Sequence, residues 1–116
     1  MARKRTFFDH ELPSSVVRLV SAICEDYERR EREITRGGSE RVCAKCLAYN
    51  TVIDSALCDI EVGVRRELLT DIAIGRGYSK SGMQVVMSKN AYYRRRRKLI
   101  YDIACGLSLI NGDKSH

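Results

Sequence analysis

The chain has 116 residues, 44% of them apolar, with a net charge of +6, one proline, no tryptophan and five cysteines. That is enough apolar material for one modest core and excludes wholesale disorder, while no segment approaches the ~18 consecutive apolar residues of a membrane span. Charged runs at helical spacing predict an all-α fold: an N-terminal antiparallel helical hairpin, then a C-terminal helix-turn-helix with a long basic last helix.

Residues 1–12 hold Arg3, Lys4 and Arg5, then Phe7, Phe8, Asp9 and His10, without periodicity. They are expected to form a mobile basic tail, a candidate arm for DNA phosphate. The charged start has no apolar run behind it, so no leader is expected, and five scattered cysteines fit a reducing cytoplasmic setting.

Residues 13–60 are expected to form the hairpin. Its first helix spans 14–36, opened by Pro13 and a serine cap, with Val16, Val17, Val20, Ile23, Cys24, Tyr27 and Ile34 on one face. From Glu25 to Arg36 acids and bases alternate, as on an exposed surface, and Gly37-Gly38 stops the helix. Ser39 caps a second helix over 40–60, whose stripe is Val42, Cys46, Tyr49, Ile53, Leu57 and Ile60.

Residues 61–110 are expected to be the helix-turn-helix region, in one compact unit with the hairpin. A supporting helix over 63–75 carries Val64, Leu68, Leu69, Ile72 and Ala73 inside and Arg65-Arg66-Glu67 outside, and Gly75-Arg76-Gly77 closes it. A short helix over 80–86 buries Met83, Val86 and Met87. After the turn at Met87-Ser88-Lys89 the last helix runs over 89–110, stopped by Asn111-Gly112, and 111–116 form a tail.

The positive charge is local to that last helix. Residues 88–98 carry six cations (Lys89, Arg94, Arg95, Arg96, Arg97, Lys98) and no acid; removing them from 21 Lys+Arg leaves 15, against 15 Asp+Glu. No Asp or Glu occurs between Asp71 and Asp102. Tyr92, Leu99, Ile103 and Leu107 make an apolar stripe, widened by Ile100 and Ala104, that would hold the helix while its first turns face a duplex. Arg and Lys match guanine acceptors, Asn matches adenine, and surplus cations pair with phosphate. Asn90, Tyr93, Arg94 and Lys89 are therefore the candidate base contacts. Arg95, Lys98 and Arg97 are the candidate phosphate contacts, and Arg96, nearest the stripe, is expected to pair with an acid of the core.

The stretch from Ser88 to Lys98, with its Tyr92-Tyr93-Arg94, is similar to the "S-x-S-T-Y-Y-R-x-(K/R)-(K/R)" segment of phage transcriptional regulators of the ArpU and RinA type. Asp26-Tyr27 followed by Glu33-Ile34, Asn50-Thr51-Val52-Ile53-Asp54-Ser55-Ala56-Leu57, and Val64-Arg65-Arg66-Glu67-Leu68 resemble three further pieces of that family, in order, so the likeness covers about residues 14–110. It implies a cytoplasmic, prophage-encoded regulator of late phage genes, with a C-terminal part like region four of bacterial sigma factors. By the same likeness Lys89, Asn90, Tyr93, Arg94 and Arg97 would enter the major groove. The unbroken four-arginine run and the Cys43-x-x-Cys46 pair depart from the family pattern.

Other chemistry has less behind it. Cys43-Ala44-Lys45-Cys46 is half a zinc site by spacing, but only lone cysteines and His10 or His116 remain as further ligands, and cysteine in a helix is an ordinary small apolar residue. Gly75-x-Gly77 lacks the preceding strand and following Gly-Lys-Ser/Thr of a phosphate loop. No catalytic residue, metal or cofactor is expected. The partner is double-stranded DNA, with RNA polymerase and a second copy of the chain as further candidates. The competing reading is a helical adaptor that binds RNA polymerase or another protein without reading DNA sequence. A third is an arginine-rich RNA-binding helix using Tyr92-Tyr93 for stacking.

Overall fold

A computed structural model describes residues 12–110. Among them the secondary structure is entirely helical: α1 (Ser14–Glu25), α2 (Tyr27–Arg36), α3 (Glu40–Leu57), α4 (Arg65–Ile74) and α5 (Lys89–Gly106), with 3₁₀ turns at Val62–Val64, Tyr78–Lys80 and Gly82–Val85. The expected tail segments 1–11 and 111–116 lie outside the described residues; Leu12 packs against the core.

The boundaries follow local chemistry. Ser39 Oγ accepts from the Val42 amide and Ser88 Oγ from the Ala91 amide, both at 3.2 Å, which caps α3 and α5. Gly37 and Gly75 end α2 and α4 in the left-handed region (φ 75° and 74°), where a Cβ would be strained. No serine caps α1: its first bonds run from the Val16 and Val17 amides to the Pro13 carbonyl.

Three expected helices are corrected. The helix over 14–36 is broken at Asp26, because the Arg30 guanidinium turns inward and donates to the Ile23 carbonyl at the end of α1. Arg30 is 5% exposed, although its neighbours alternate in charge like a solvated face. The break lets α1 pack on α4 while α2 lies along α3. Ser21 fastens the first contact, donating to the Ile72 carbonyl at 2.8 Å.

The expected short helix over 80–86 is instead two 3₁₀ turns, so a 3.6-residue stripe does not apply there. Met83 is buried and Met87 half-buried, but Val86 is exposed, and Val85 more so. The last helix stops at Gly106 rather than Ile110. Ser108 turns left-handed (φ 61°), the Leu109 amide bonds back to the Ala104 carbonyl at 2.8 Å, and Leu107, Leu109 and Ile110 fold onto the core.

One core runs through α1, α3, α4 and α5, with Val20, Ile53, Leu68, Ile72, Met83, Tyr92, Leu99 and Ile103 at its centre. In α3 the inward residues are Cys46, Asn50, Ile53, Ala56 and then Ile60, while the expected Val42 and Tyr49 are largely exposed. Asn50 takes the inner place because it is the partner Arg30 needs: its Oδ1 accepts from Arg30 Nε at 2.7 Å. Its Nδ2 donates to the Tyr27 carbonyl (3.1 Å) and to Glu31 (2.8 Å). With Tyr27 O–H donating to Asp54 at 2.5 Å and the Cys43 thiol to the Glu33 carbonyl, α2 and α3 meet in antiparallel order. A buried guanidinium is tolerable only when its donors are used.

Candidate nucleic-acid interface

The basic helix is locked at Tyr92. Its ring has no exposed surface and stacks between Tyr78 (centroids 5.2 Å apart) and Tyr93 (4.9 Å, edge-on). Its hydroxyl donates to Asp71 Oδ2 at 2.8 Å and accepts from Arg96 Nη1 at 2.8 Å. Asp71, fully buried on α4, also accepts from Arg76 Nε at 2.6 Å. Arg76 continues to Glu67 at 3.0 Å, and Glu67 accepts from the Gly82 amide at 3.1 Å. One chain of charge-assisted bonds thus joins α4, the 3₁₀ segment and α5. Burial and the Asp71 hydrogen bond push the Tyr92 phenol up to about 12.

The 3₁₀ segment is tied to α5 in turn. Tyr93 O–H accepts from the Tyr78 amide (3.1 Å), Tyr78 O–H donates to the Met87 carbonyl (2.7 Å), and Gln84 donates to the carbonyls of Tyr78 and Ser79. Tyr93, a candidate base contact, is half-buried and committed to this turn. Gly77 lies under it, where a Cβ would meet the Tyr93 oxygen at 3.1 Å.

The acid-free stretch between Asp71 and Asp102 holds eight cations: Arg76, Lys80, Lys89, Arg94, Arg95, Arg96, Arg97 and Lys98. They divide sharply. Arg95 meets Glu61 side-on, Nε to Oε1 at 2.9 Å and Nη2 to Oε2 at 2.6 Å, while its Nη1 donates to the Ala91 carbonyl at 3.2 Å. Those bonds hold the Glu61 carboxyl well below its usual range, at about 2, and raise Arg95. Lys98 Nζ reaches Asp59 at 2.9 Å and Asp102 at 2.6 Å. Burial works against the Lys98 charge, but the two carboxylates outweigh it and its pKa is raised. Arg96 lies over the Tyr92 ring and donates to the Tyr92 hydroxyl and the Arg76 carbonyl, one bond removed from the acid expected for it.

Lys80, Lys89, Asn90, Arg94 and Arg97 are exposed, and none of their side chains has a hydrogen-bond or ion-pair partner among the described residues. At ~100° per residue, Lys89, Asn90, Arg94 and Arg97 fall within an arc of about 140° on α5. Farther along, the same arc carries Ile100, Tyr101 and Ala104, all buried. This side of the helix is therefore open over its first turns and closed beyond them. What the arrangement offers is a row of free donors on a rigid helix tip, the chemistry that matches phosphate oxygens and the acceptor edges of bases.

Sequence reasoning missed Asp71, Arg76, Glu67 and Tyr78. Asp71 left a signal: an acid one position from Ile72 and three from Leu68, inside an apolar stripe, requires a buried partner. Among the described residues no three His, Cys, Asp or Glu side chains come together as a metal-binding group, and no helix is long and apolar enough to cross a membrane. No protein-family model, curated protein or solved structure matches the chain.

Proposed function

We propose that this chain is a sequence-specific DNA-binding transcriptional regulator, of the phage or prophage kind and like sigma factor region four, acting in the cytoplasm on double-stranded DNA. In this reading the 3₁₀ segment, the turn at Ser88 and α5 serve as the helix-turn-helix, and the first half of α5 enters the major groove. The single observation that carries it is the free arc of Lys89, Asn90, Arg94 and Arg97 on a helix tip whose base is fixed through Tyr92 and Asp71. Asn90 suits the N6/N7 edge of adenine and Arg94 the O6/N7 edge of guanine; Lys89 and Arg97 suit the flanking phosphates. A second copy would give a symmetric operator, a monomer one asymmetric element. RNA polymerase is the protein partner that a region-four-like regulator would meet.

The test is a set of binding isotherms on selected and scrambled duplexes. Asn90→Ala or Arg94→Ala is expected to cost about 1–3 kcal/mol on the selected site and to relax preference at one or two positions. Equal losses on both duplexes would reduce α5 to a polycation. The adaptor reading has one observation in its favour, the exposed Val42, Leu47 and Tyr49 on α3, which suit a protein partner. It would be preferred if those positions, and not Asn90, governed function in cells.

A further inference from the structure

Arg95 and Lys98 are the two α5 cations paired with carboxylates, and those acids come from outside the basic stretch. Asp59 and Glu61 stand on the turn between α3 and α4, separated in sequence from their partners by 39 and 34 residues. That turn is fixed from both sides. Ile60 between them is buried at 3% exposure, and Arg65 donates to the Ile60 carbonyl at 2.7 Å and to the Cys58 carbonyl at 3.4 Å. The two carboxylates are thus presented to α5 on a rigid mount.

The Glu61 pair is built closely. All three guanidinium nitrogens of Arg95 are engaged, two on the carboxylate and one on the Ala91 carbonyl, so no donor nitrogen is left without a protein partner. The remaining N–H groups of Arg95 lie beside the Glu61 carboxylate, whose charge, with that of Asp59, opposes a phosphate there. The placement is also one-sided. Counting ~100° per residue, Arg95 and Lys98 point about 100–160° away from Arg97, at the centre of the free arc.

We propose that Asp59 and Glu61 are a built-in guard on the DNA-binding helix: Glu61 engages Arg95, Asp59 joins Asp102 of α5 on Lys98, and together they confine the footprint to the arc of Lys89, Asn90, Arg94 and Arg97. The inference rests on the DNA-binding reading and adds to it a limit on sequence-independent affinity. Each phosphate contact withheld lowers binding to every duplex alike, so less affinity is left for non-specific DNA and a larger share of the remaining binding free energy comes from the base contacts of the arc.

The experiment follows binding to a scrambled duplex by fluorescence anisotropy across a salt series, with thermal melting to verify that each protein is folded. Glu61→Gln is expected to bind several-fold tighter at low salt and to steepen the log K against log salt slope by about 0.9, one added phosphate contact. Arg95→Gln alone is expected to leave the wild-type slope unchanged, and the double variant Glu61→Gln/Arg95→Gln to return to it. Because Asp102 also holds Lys98, the second cycle pairs Asp59→Asn/Asp102→Asn with Lys98→Gln. A wild-type slope retained in both Glu61→Gln and Asp59→Asn/Asp102→Asn, or one lowered by about 0.9 in Arg95→Gln alone, would overturn the guard and leave the DNA reading intact. A wild-type protein that binds no duplex at any salt would overturn both.

Discussion

Tyr92 carries a ring that the core needs and a hydroxyl that the core can accept only because Asp71 and Arg96 meet it. Tyr92→Phe keeps the packing and leaves Asp71 short of a donor, so it should cost about 1–2 kcal/mol in urea denaturation, with an unchanged m-value. The ring's place was legible in the sequence, since Tyr92 falls on the stripe with Leu99 and Ile103. Its partner was not, because hydrogen bonding between residues 71 and 92 leaves no trace in periodicity. Arg30 was hidden for the same reason: among alternating charges nothing marks the one that turns inward to Asn50. The cysteines differ as sharply. Cys58 is exposed, Cys24 and Cys46 are buried, and burial pushes the Cys24 thiol up to about 12. Alkylation under native conditions should therefore reach Cys58 first and spare Cys24 and Cys46 until the chain unfolds, as peptide mass spectrometry would record. Prompt labelling of Cys24 would contradict the packing of α1 on α4.

Four element ends were readable, because caps and stops are local: Ser39, Gly37, Gly75 and Ser88 act where their chemistry puts them, whereas no serine caps α1 and α5 stops at Gly106, short of Asn111. Interior decisions made by tertiary contact were not readable. The break at Asp26 has no proline or glycine to announce it, and the segment at 78–87 takes its shape from Glu67, Tyr93 and its own side-chain bonds rather than from an apolar period. The crossing of α3 and α5 was equally silent. At Gly106 a Cβ would stand 2.6 Å from Val52 Cγ1, and the β-branched Val52 cannot swing aside freely. Gly106→Ala should therefore destabilise the protein by about 1–2 kcal/mol, although alanine is the better helix former. Val52→Ala in the same chain should recover most of that loss in thermal melts; additive losses would mean that the helices do not meet there. At the end of α5, Ser108 holds a left-handed conformation, and Ser108→Gly should raise stability by about 0.5–1 kcal/mol.

Across the whole molecule, the local charge of residues 88–98 was plain from counting, but its division into held and free cations was not. The acids at 59 and 61 belong to another element, and only the folded chain brings them to Arg95 and Lys98. Proton linkage gives a second whole-molecule expectation. Both Tyr92, at about 12, and Tyr27, raised by burial and by Asp54, ionise less readily folded than unfolded. The unfolded chain then loses these protons first, so their stabilising effect is complete below about pH 10 and is lost as pH climbs from about 10 to about 12. Denaturant midpoints across that range should fall, and a flat profile would remove both hydrogen bonds from the account. The same two bonds also give the protein an optical signature. With no tryptophan, its ultraviolet emission comes from six tyrosines, and a phenol that donates to a carboxylate is quenched in its excited state by losing its proton to that acceptor. Folded, the molecule should glow dimly at Tyr27 and Tyr92; as it opens, it should brighten, so that its own light reports whether α5 is still fastened to α4.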